Sequence, residues 1–409
     1  MSDGKSKPPF DGLKIVSFAW AVVGPMTMRY FADYGATVIR IETSRRPDLA
    51  RSLLPIKGGR PGLNRSGYFN YFNANILSMS LNMENPVAID LAKSLIAQAD
   101  VVLENFTPGV MEKWGLGYEQ VKQLKSDIIM VRQSGFGTYG PYVHQPAFGM
   151  ILAAIAGLPN FIGWPDGSPL PVGISAYTDY IGPRFASAAL IAALDHRNKT
   201  GKGMFLDISH FETTIYFLLP AVLDYVSNGR KPKRIGNVSH STAPHGVYRC
   251  RGEDRWCAIA VSNEEEWKSF CTVTDQPELM EDPRFRTTPD RIRNRDELDR
   301  RVNEWTAYLT AEEVMVKLQK AGIPAGVVKN GADVYNDPQL RHRGYFWELM
   351  HPEMGSFTHL GQSFVLSKTP AEARRPSPRL GEHTEMICRE FLNISGDEFA
   401  LLSQRGVFE

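Results

Sequence analysis

A chain of 409 residues that is 43% hydrophobic and 22% charged has the apolar content for two domains with substantial cores, which excludes the disordered and fibrous classes. Its 46 basic and 45 acidic side chains leave a net charge of +1, so no global field steers nucleic acid or an anionic membrane, and an anionic ligand must be met by a local patch. The four cysteines form no CxxC pair, the stretch Met1–Pro9 lacks an apolar signal core, and no apolar run approaches the roughly 18 residues that cross a bilayer, all of which fits a reduced, cytoplasmic setting.

Along the chain, short β-branched runs at Leu13–Phe18, Thr37–Glu42, Asp100–Glu104, Asp127–Arg132 and Met204–Ile208 alternate with helical patterns at Pro25–Tyr34, Pro86–Gln98 and Pro183–Arg197. That alternation predicts an open α/β sheet of parallel strands with crossover helices over the first 210 or so residues. Composition changes at Ser227–His245, where turn formers and polar residues replace periodicity. Beyond it, Gly246–Arg251 and Arg255–Val261 read as a hairpin, followed by helices at Glu264–Cys271, Arg295–Ala307 and Ala311–Ala321. The expected division is a large domain over 1–226, a small α+β domain over 227–325, and a carboxy-terminal return over 326–409 that closes with a helix at Thr384–Leu392.

Several chemistries fail on the residues. A dinucleotide site needs closely spaced glycines after the first strand, whereas Ala19-Trp20-Ala21-Val22-Val23-Gly24 supplies one glycine among bulky side chains, and Glu42 alone is a weak ribose-binding acid. Gly173-Ile174-Ser175-Ala176-Tyr177 misses the last glycine of a nucleophile elbow. Thr200-Gly201-Lys202-Gly203 lacks the first glycine of a P-loop and reads as a turn. The nine histidines show no metal-ligand spacing beyond a loose His240…His245, so no metal is expected. Arg45, Arg46, Arg51, Lys57, Arg60 and Arg65 face only Asp48 between Thr43 and Ser66; they read either as a solvated loop or as a site for phosphate or carboxylate.

Asp179 is the only carboxylate between Asp166 and Asp195, among small and aromatic residues at the mouth of an apolar helix. Local sequence favours a helix cap, its carboxylate accepting free backbone N–H groups. The competing role is covalent nucleophile.

Other segments shift that balance. Asp11-Gly12-Leu13-Lys14-Ile15-Val16, Gly24-Pro25, Phe31-Ala32-Asp33-Tyr34-Gly35-Ala36 and Ala99-Asp100-Val101-Val102-Leu103-Glu104-Asn105-Phe106-Thr107-Pro108-Gly109-Val110 come first. Ser134-Gly135-Phe136-Gly137, Lys199-Thr200-Gly201-Lys202-Gly203, Ala243-Pro244-His245-Gly246 and Gly381-Glu382-His383-Thr384 follow in order. Together they resemble the class III coenzyme A transferases, the family of formyl-CoA and carnitine-CoA transferases.

The resemblance implies a Rossmann-like large domain built from both chain ends, a smaller α+β domain between them, and an interlocked dimer, either of one chain or with a related subunit. It makes Asp179 the catalytic aspartate and assigns coenzyme A contacts to Asn75, Asn105, Phe106, Val110, Lys113 and Phe136. Coenzyme A and acyl-CoA then act as substrates, with no tightly bound cofactor and no metal. The chain departs from the pattern at Ile76-Leu77, where many relatives carry Lys-Arg, and at Val22, where the formyl-CoA branch has glutamine. Succinyl-CoA as donor and a dicarboxylate acceptor such as an arylsuccinate, as in the benzylsuccinate subgroup, complete the expectation. An acyl-CoA racemase of the same fold and a non-catalytic subunit of a heteromeric transferase stay open as alternatives.

Overall fold

The alternation read from the first 210 residues forms a sheet. In the computed structural model, which describes residues 7–173 and 176–409, strands β1 (Lys14–Ser17), β2 (Thr37–Glu42), β3 (Leu77–Ser80), β4 (Val101–Glu104), β5 (Ile129–Ser134) and β6 (Met204–Ser209) lie in the order β3-β2-β1-β4-β5-β6. Each neighbouring pair is parallel. The near-miss elbow at Gly173–Tyr177 includes residues 174 and 175, which lie outside those described.

Because side chains alternate along a strand, a sheet covered on both faces needs apolar residues at consecutive positions. Ile15, Val101, Leu103, Ile129 and Val131 enter one buried cluster with Met28 and Phe31, while Val16, Val102 and Met130 enter another with Ala88, Leu95 and Ile387. The helices that matter on the amino-terminal side are α1 (Val23–Asp33), α2 (Gly67–Asn73), α3 (Pro86–Ile96), α4 (Val110–Lys113), α5 (Tyr118–Leu124) and α6 (Gly149–Ile155). They are followed by α7 (Thr178–Thr200), α8 (His210–Ile215) and α9 (Leu219–Asn228).

Strand β3 was invisible to periodicity because its sequence, Leu-Ser-Met-Ser, mixes apolar residues with hydroxyls. All four residues are nonetheless buried, since Ser78 Oγ bonds Glu42 and the carboxy-terminal return covers the strand's free edge. There the His383 N–H donates to Ser78 O at 2.9 Å and the Ser80 N–H donates to Thr384 Oγ1 at 3.0 Å.

Two compact units divide the chain. One holds the stretch ending at Pro159, together with Pro171–Lys231 and Arg341–Glu409; the other holds Asn160–Leu170 and Pro232–Leu340. The second unit is therefore longer than the 227–325 expected from composition. It contains β7 (His245–Arg249), β8 (Trp256–Ala260) and β9 (Ala325–Val327) in an antiparallel sheet, packed on a core that includes Trp267, Phe270, Leu298 and Val314. In the first unit, β10 (Phe346–His351) and β11 (Gly355–Leu360) form a separate hairpin. All four cysteines are free and buried, and among the described residues no helix is long and apolar enough to cross a membrane.

Candidate active site

In an open parallel sheet, the crevice forms where the strand order reverses, outside the carboxyl ends of the strands. Here that point lies between β1 and β4, and a cleft of about 490 Å³ opens there within the first unit. One wall is the turn after β1 with Trp20. A second is the segment after β4 with Asn105, Phe106 and Val110, and a third is Pro146-Ala147-Phe148.

The turn after β1 is fixed by side chains from the segments that follow β4 and β2. Asn105 grips Trp20 at both backbone groups, Oδ1 accepting its N–H at 3.0 Å and Nδ2 donating to its carbonyl at 3.0 Å. Ala21 takes φ +60, an unfavourable region for a residue with a Cβ, and its N–H donates to Asp48 Oδ2 at 2.8 Å. Asp48 is itself buried, bonded to Arg40 and to the Ala50 N–H.

Two glutamates fix the segment after β4. Glu104 accepts the Phe106 N–H at 2.7 Å, Glu112 accepts the Gly109 N–H at 3.0 Å, and Arg132 bonds both carboxylates. Burial nevertheless pushes Glu104 up to about 7, outweighing the opposing pull of Arg132.

The arginine group read between Thr43 and Ser66 divides. Arg51 is buried in a two-bond pair with Glu42, at 2.6 and 3.0 Å, which also removes Glu42 as a ribose partner. Arg65 donates to the carbonyls of Lys57 and Glu353. Arg45 and Arg46 alone of the six line the cleft, the Arg46 guanidinium standing 5.4 Å from the centre of the Trp20 ring.

The wall at Pro146–Phe148 runs directly into Gly149, the first residue of α6, and there it meets Asp179. A Cβ at position 149 would stand 2.4 Å from Asp179 Oδ1 and 2.2 Å from the Ala176 Cβ, so only glycine lets α6 approach the carboxylate. Asp179 sits in the first turn of α7, after Thr178, and among the described residues no backbone N–H caps onto its side chain. The cap reading therefore fails. Burial pushes its carboxyl up to about 6, and among the described residues the opposing influence is the Thr178 hydroxyl, 3.5 Å from Oδ1.

Three residues after Asp179, Gly182 makes room for His210 at the start of α8; a Cβ there would lie 2.1 Å from the ring's Cε1. His210 is buried, and burial holds it down at about 4 against the opposing pull of the Thr178 backbone. It therefore gives Asp179 no cationic neighbour at neutral pH. Tyr180, one residue on, packs on Val22, Met26 and Phe72, which brings the start of α1 to the same turn of α7.

The structure thus gathers Asn105, Phe106 and Val110 at the cleft, with Asp179 just beyond its wall. Lys113 lies exposed on α4 and does not line the cleft. Phe136 is buried between Tyr142 and Phe211, each 5.6 Å away by ring centres. Asn75 stands apart at φ +64, its amide fully occupied: it donates to Asp33 and to the Glu372 carbonyl, and accepts the N–H groups of Arg374 and Arg375. Sequence reasoning missed Gly149, Thr178 and His210, and read Asp48 only as the acid among the arginines. Only Thr178 carried a signal, its adjacency to Asp179.

Comparison with known proteins places this geometry in context. Residues 10–384 match the profile of CoA-transferase family III. The chain is 30% identical over 407 residues to the succinyl-CoA–D-citramalate CoA-transferase of Chloroflexus aurantiacus, covering all of both chains. It is 31% identical over 409 residues to the succinyl-CoA:glutarate CoA-transferase of Mus musculus, covering 100% of this chain and 92% of the relative. A crystal structure of a CaiB/BaiF family protein from Brucella suis superposes with a TM-score of 0.86 at 29% identity, over 94% of this chain and 100% of that one.

Proposed function

The chain belongs to CoA-transferase family III, and on that premise we propose that it moves coenzyme A from succinyl-CoA to a dicarboxylic acid, with Asp179 as the covalent nucleophile. What carries the reading is the state of that carboxylate: partly buried, without a cationic partner among the described residues, met by a glycine, and next to the wall of the cleft at the sheet's switch point. A cation at bonding distance would hold such a group as a stable ion and blunt its attack.

In the reaction, an Asp179 oxygen bonds to the thioester carbon and the thiolate of coenzyme A leaves, giving a mixed anhydride. The thiolate then attacks Cγ of Asp179, the donor's carboxylate departs with the bridging oxygen, and an aspartyl-CoA thioester remains. The acceptor carboxylate attacks that thioester, thiolate leaves again, and its attack on the new acyl carbon frees the Asp179 carboxylate. The free N–H groups at the start of α1, near Val22-Val23-Gly24, are the donors we assign to the oxyanion on the acyl carbon.

Asn105, Phe106 and Val110 form the seat for the nucleotide end of coenzyme A in this reading, and Arg45 and Arg46 supply positive charge for its phosphates. The two relatives named above pair succinyl-CoA with the acids D-citramalate and glutarate, which supports a dicarboxylate acceptor; an arylsuccinate such as benzylsuccinate is the finer proposal. The assembly we propose is a dimer, of two identical chains or with a related subunit. Its support is α9, which buries no residue and exposes Val222, Leu223, Tyr225 and Val226.

Succinyl-CoA incubated with glutarate and with hydroxylated and aryl-substituted succinates should yield new acyl-CoA masses. Asp179→Asn should lower exchange by at least about 10³-fold. Hydroxylamine should inactivate the wild-type protein only after donor is added, with the label on the Asp179 peptide. Exchange surviving in Asp179→Asn, or label on another peptide, removes the nucleophile assignment.

A further inference from the structure

Thr178 is fully buried although its neighbours on either side are not. Its hydroxyl has two acceptors within reach, the Gly149 carbonyl at 2.9 Å and Asp179 Oδ1 at 3.5 Å. A hydroxyl carries one hydrogen and turns freely, so in the resting state it serves the nearer carbonyl. Oδ1 is also the oxygen against which Gly149 packs, where a Cβ would lie 2.4 Å away. The other oxygen, Oδ2, lies farther from that position than Cγ, which stands 2.7 Å away, and is taken as the oxygen that bonds an acyl carbon.

We propose that Thr178 is a further catalytic residue, whose hydroxyl swings from the Gly149 carbonyl to Oδ1 while negative charge stands on that oxygen. The inference rests on Asp179 being the nucleophile. When thiolate sulfur bonds to Cγ of the mixed anhydride, the electron pair of the Cγ=Oδ1 bond moves onto Oδ1. It returns as the bond from Cγ to the bridging oxygen breaks and the donor's carboxylate leaves. The same charge appears on Oδ1 when the acceptor carboxylate attacks the aspartyl thioester and thiolate departs. In both steps the Thr178 hydroxyl donates a hydrogen bond without transferring its proton, so no other reactant is needed. At 3.5 Å the resting contact is long, as catalytic hydrogen bonds often are before substrate closes the site. The first attack, on the acyl carbon, places its charge on the donor's own oxygen and does not use Thr178.

This separation of steps gives the test. Thr178→Val removes the hydroxyl and keeps the shape, while Thr178→Ser keeps the hydroxyl. In Thr178→Val, kcat should fall roughly 10²–10³-fold, the range for loss of one such donor, with KM for succinyl-CoA little changed. Intact-protein mass spectrometry of acid-quenched reactions should show a succinyl adduct on Asp179 in the Val variant, in place of the coenzyme A adduct of the wild type. Thr178→Ser should restore most of the rate and the coenzyme A adduct. A full-rate Val variant, or a Ser variant as slow as Val with the same melting temperature as wild type, overturns the role of Thr178. Activity in Asp179→Asn strikes the underlying reading instead, so the two failures are distinguishable.

Discussion

At the scale of single residues, Asp179 is governed by a contest between two effects. The positive end of α7 favours an anion in its first turn, typically by 0.3–1 kcal/mol, whereas removal from water opposes one. Desolvation wins, since the carboxyl is pushed up from 3.8 to about 6. Between those values the folded protein holds a proton that the unfolded chain has lost, so stability contributed by this group falls as pH rises through that window. The full shift corresponds to on the order of 3 kcal/mol. Two outcomes follow. The acid limb of kcat/KM should lie near pH 6, and Asp179→Asn should melt no lower than the wild type at pH 7 while being inactive. A limb near the ordinary carboxylate value, or a variant that melts several degrees lower, would contradict the burial that governs this site. Two asparagines make the complementary point. Asn75 and Asn105 carry amides that sequence resemblance assigns to ligand, yet both are engaged with backbone, one fastening the carboxy-terminal return and the other holding Trp20.

At the scale of elements, α7 shows where local patterns stop. Its apolar periodicity predicts a helix over Pro183–Arg197, and the structure extends it to Thr178–Thr200. Proline normally opens a helix, which is why the start was read there. Here Pro183 lies inside, and having no N–H it leaves the Asp179 carbonyl without its intrahelical donor. What holds this weakened first turn is packing: Thr178 to Gly149 on one side and His210 in the seat opened by Gly182 on the other. Gly182→Ala should therefore lower the melting temperature and, by moving Asp179, the rate, with a cost of about 1–3 kcal/mol typical of overpacking. The double variant Gly182→Ala with His210→Ala should melt higher than the sum of the two single losses predicts. Simple additivity in that cycle would show that the ring and the glycine do not share a seat.

At the scale of the whole molecule, the chain divides into a unit built around the parallel sheet and another around β7, β8 and β9. The face carried by α8 and α9 is the odd part of the first unit. Tyr216 is 65% exposed and Val226 74%, and a helix of ten residues with none buried draws little support from tertiary packing. Association through this face should give a particle of twice the mass of one chain in light scattering. Leu223→Glu should dissociate it. A fully active particle of single-chain mass at assay concentration would remove the dimer.

The sequence by itself determined the class of sheet, five of its six strands, and the hairpin and three helices of the second unit, and it singled out Asp179 as the candidate nucleophile. Each of these is written locally: in alternation, in periodicity, or in short segments whose order survives in the chain. Strand β3, the burial of Arg51, the double grip of Asn105 on Trp20, and the approach of Gly149 and Thr178 to Asp179 were decided only by tertiary structure. They join residues far apart in the chain or fix a side chain by what packs beside it. Whether Asp179 caps a helix or stands ready to react depends on the water it has lost and the donors it lacks, and the fold alone sets both.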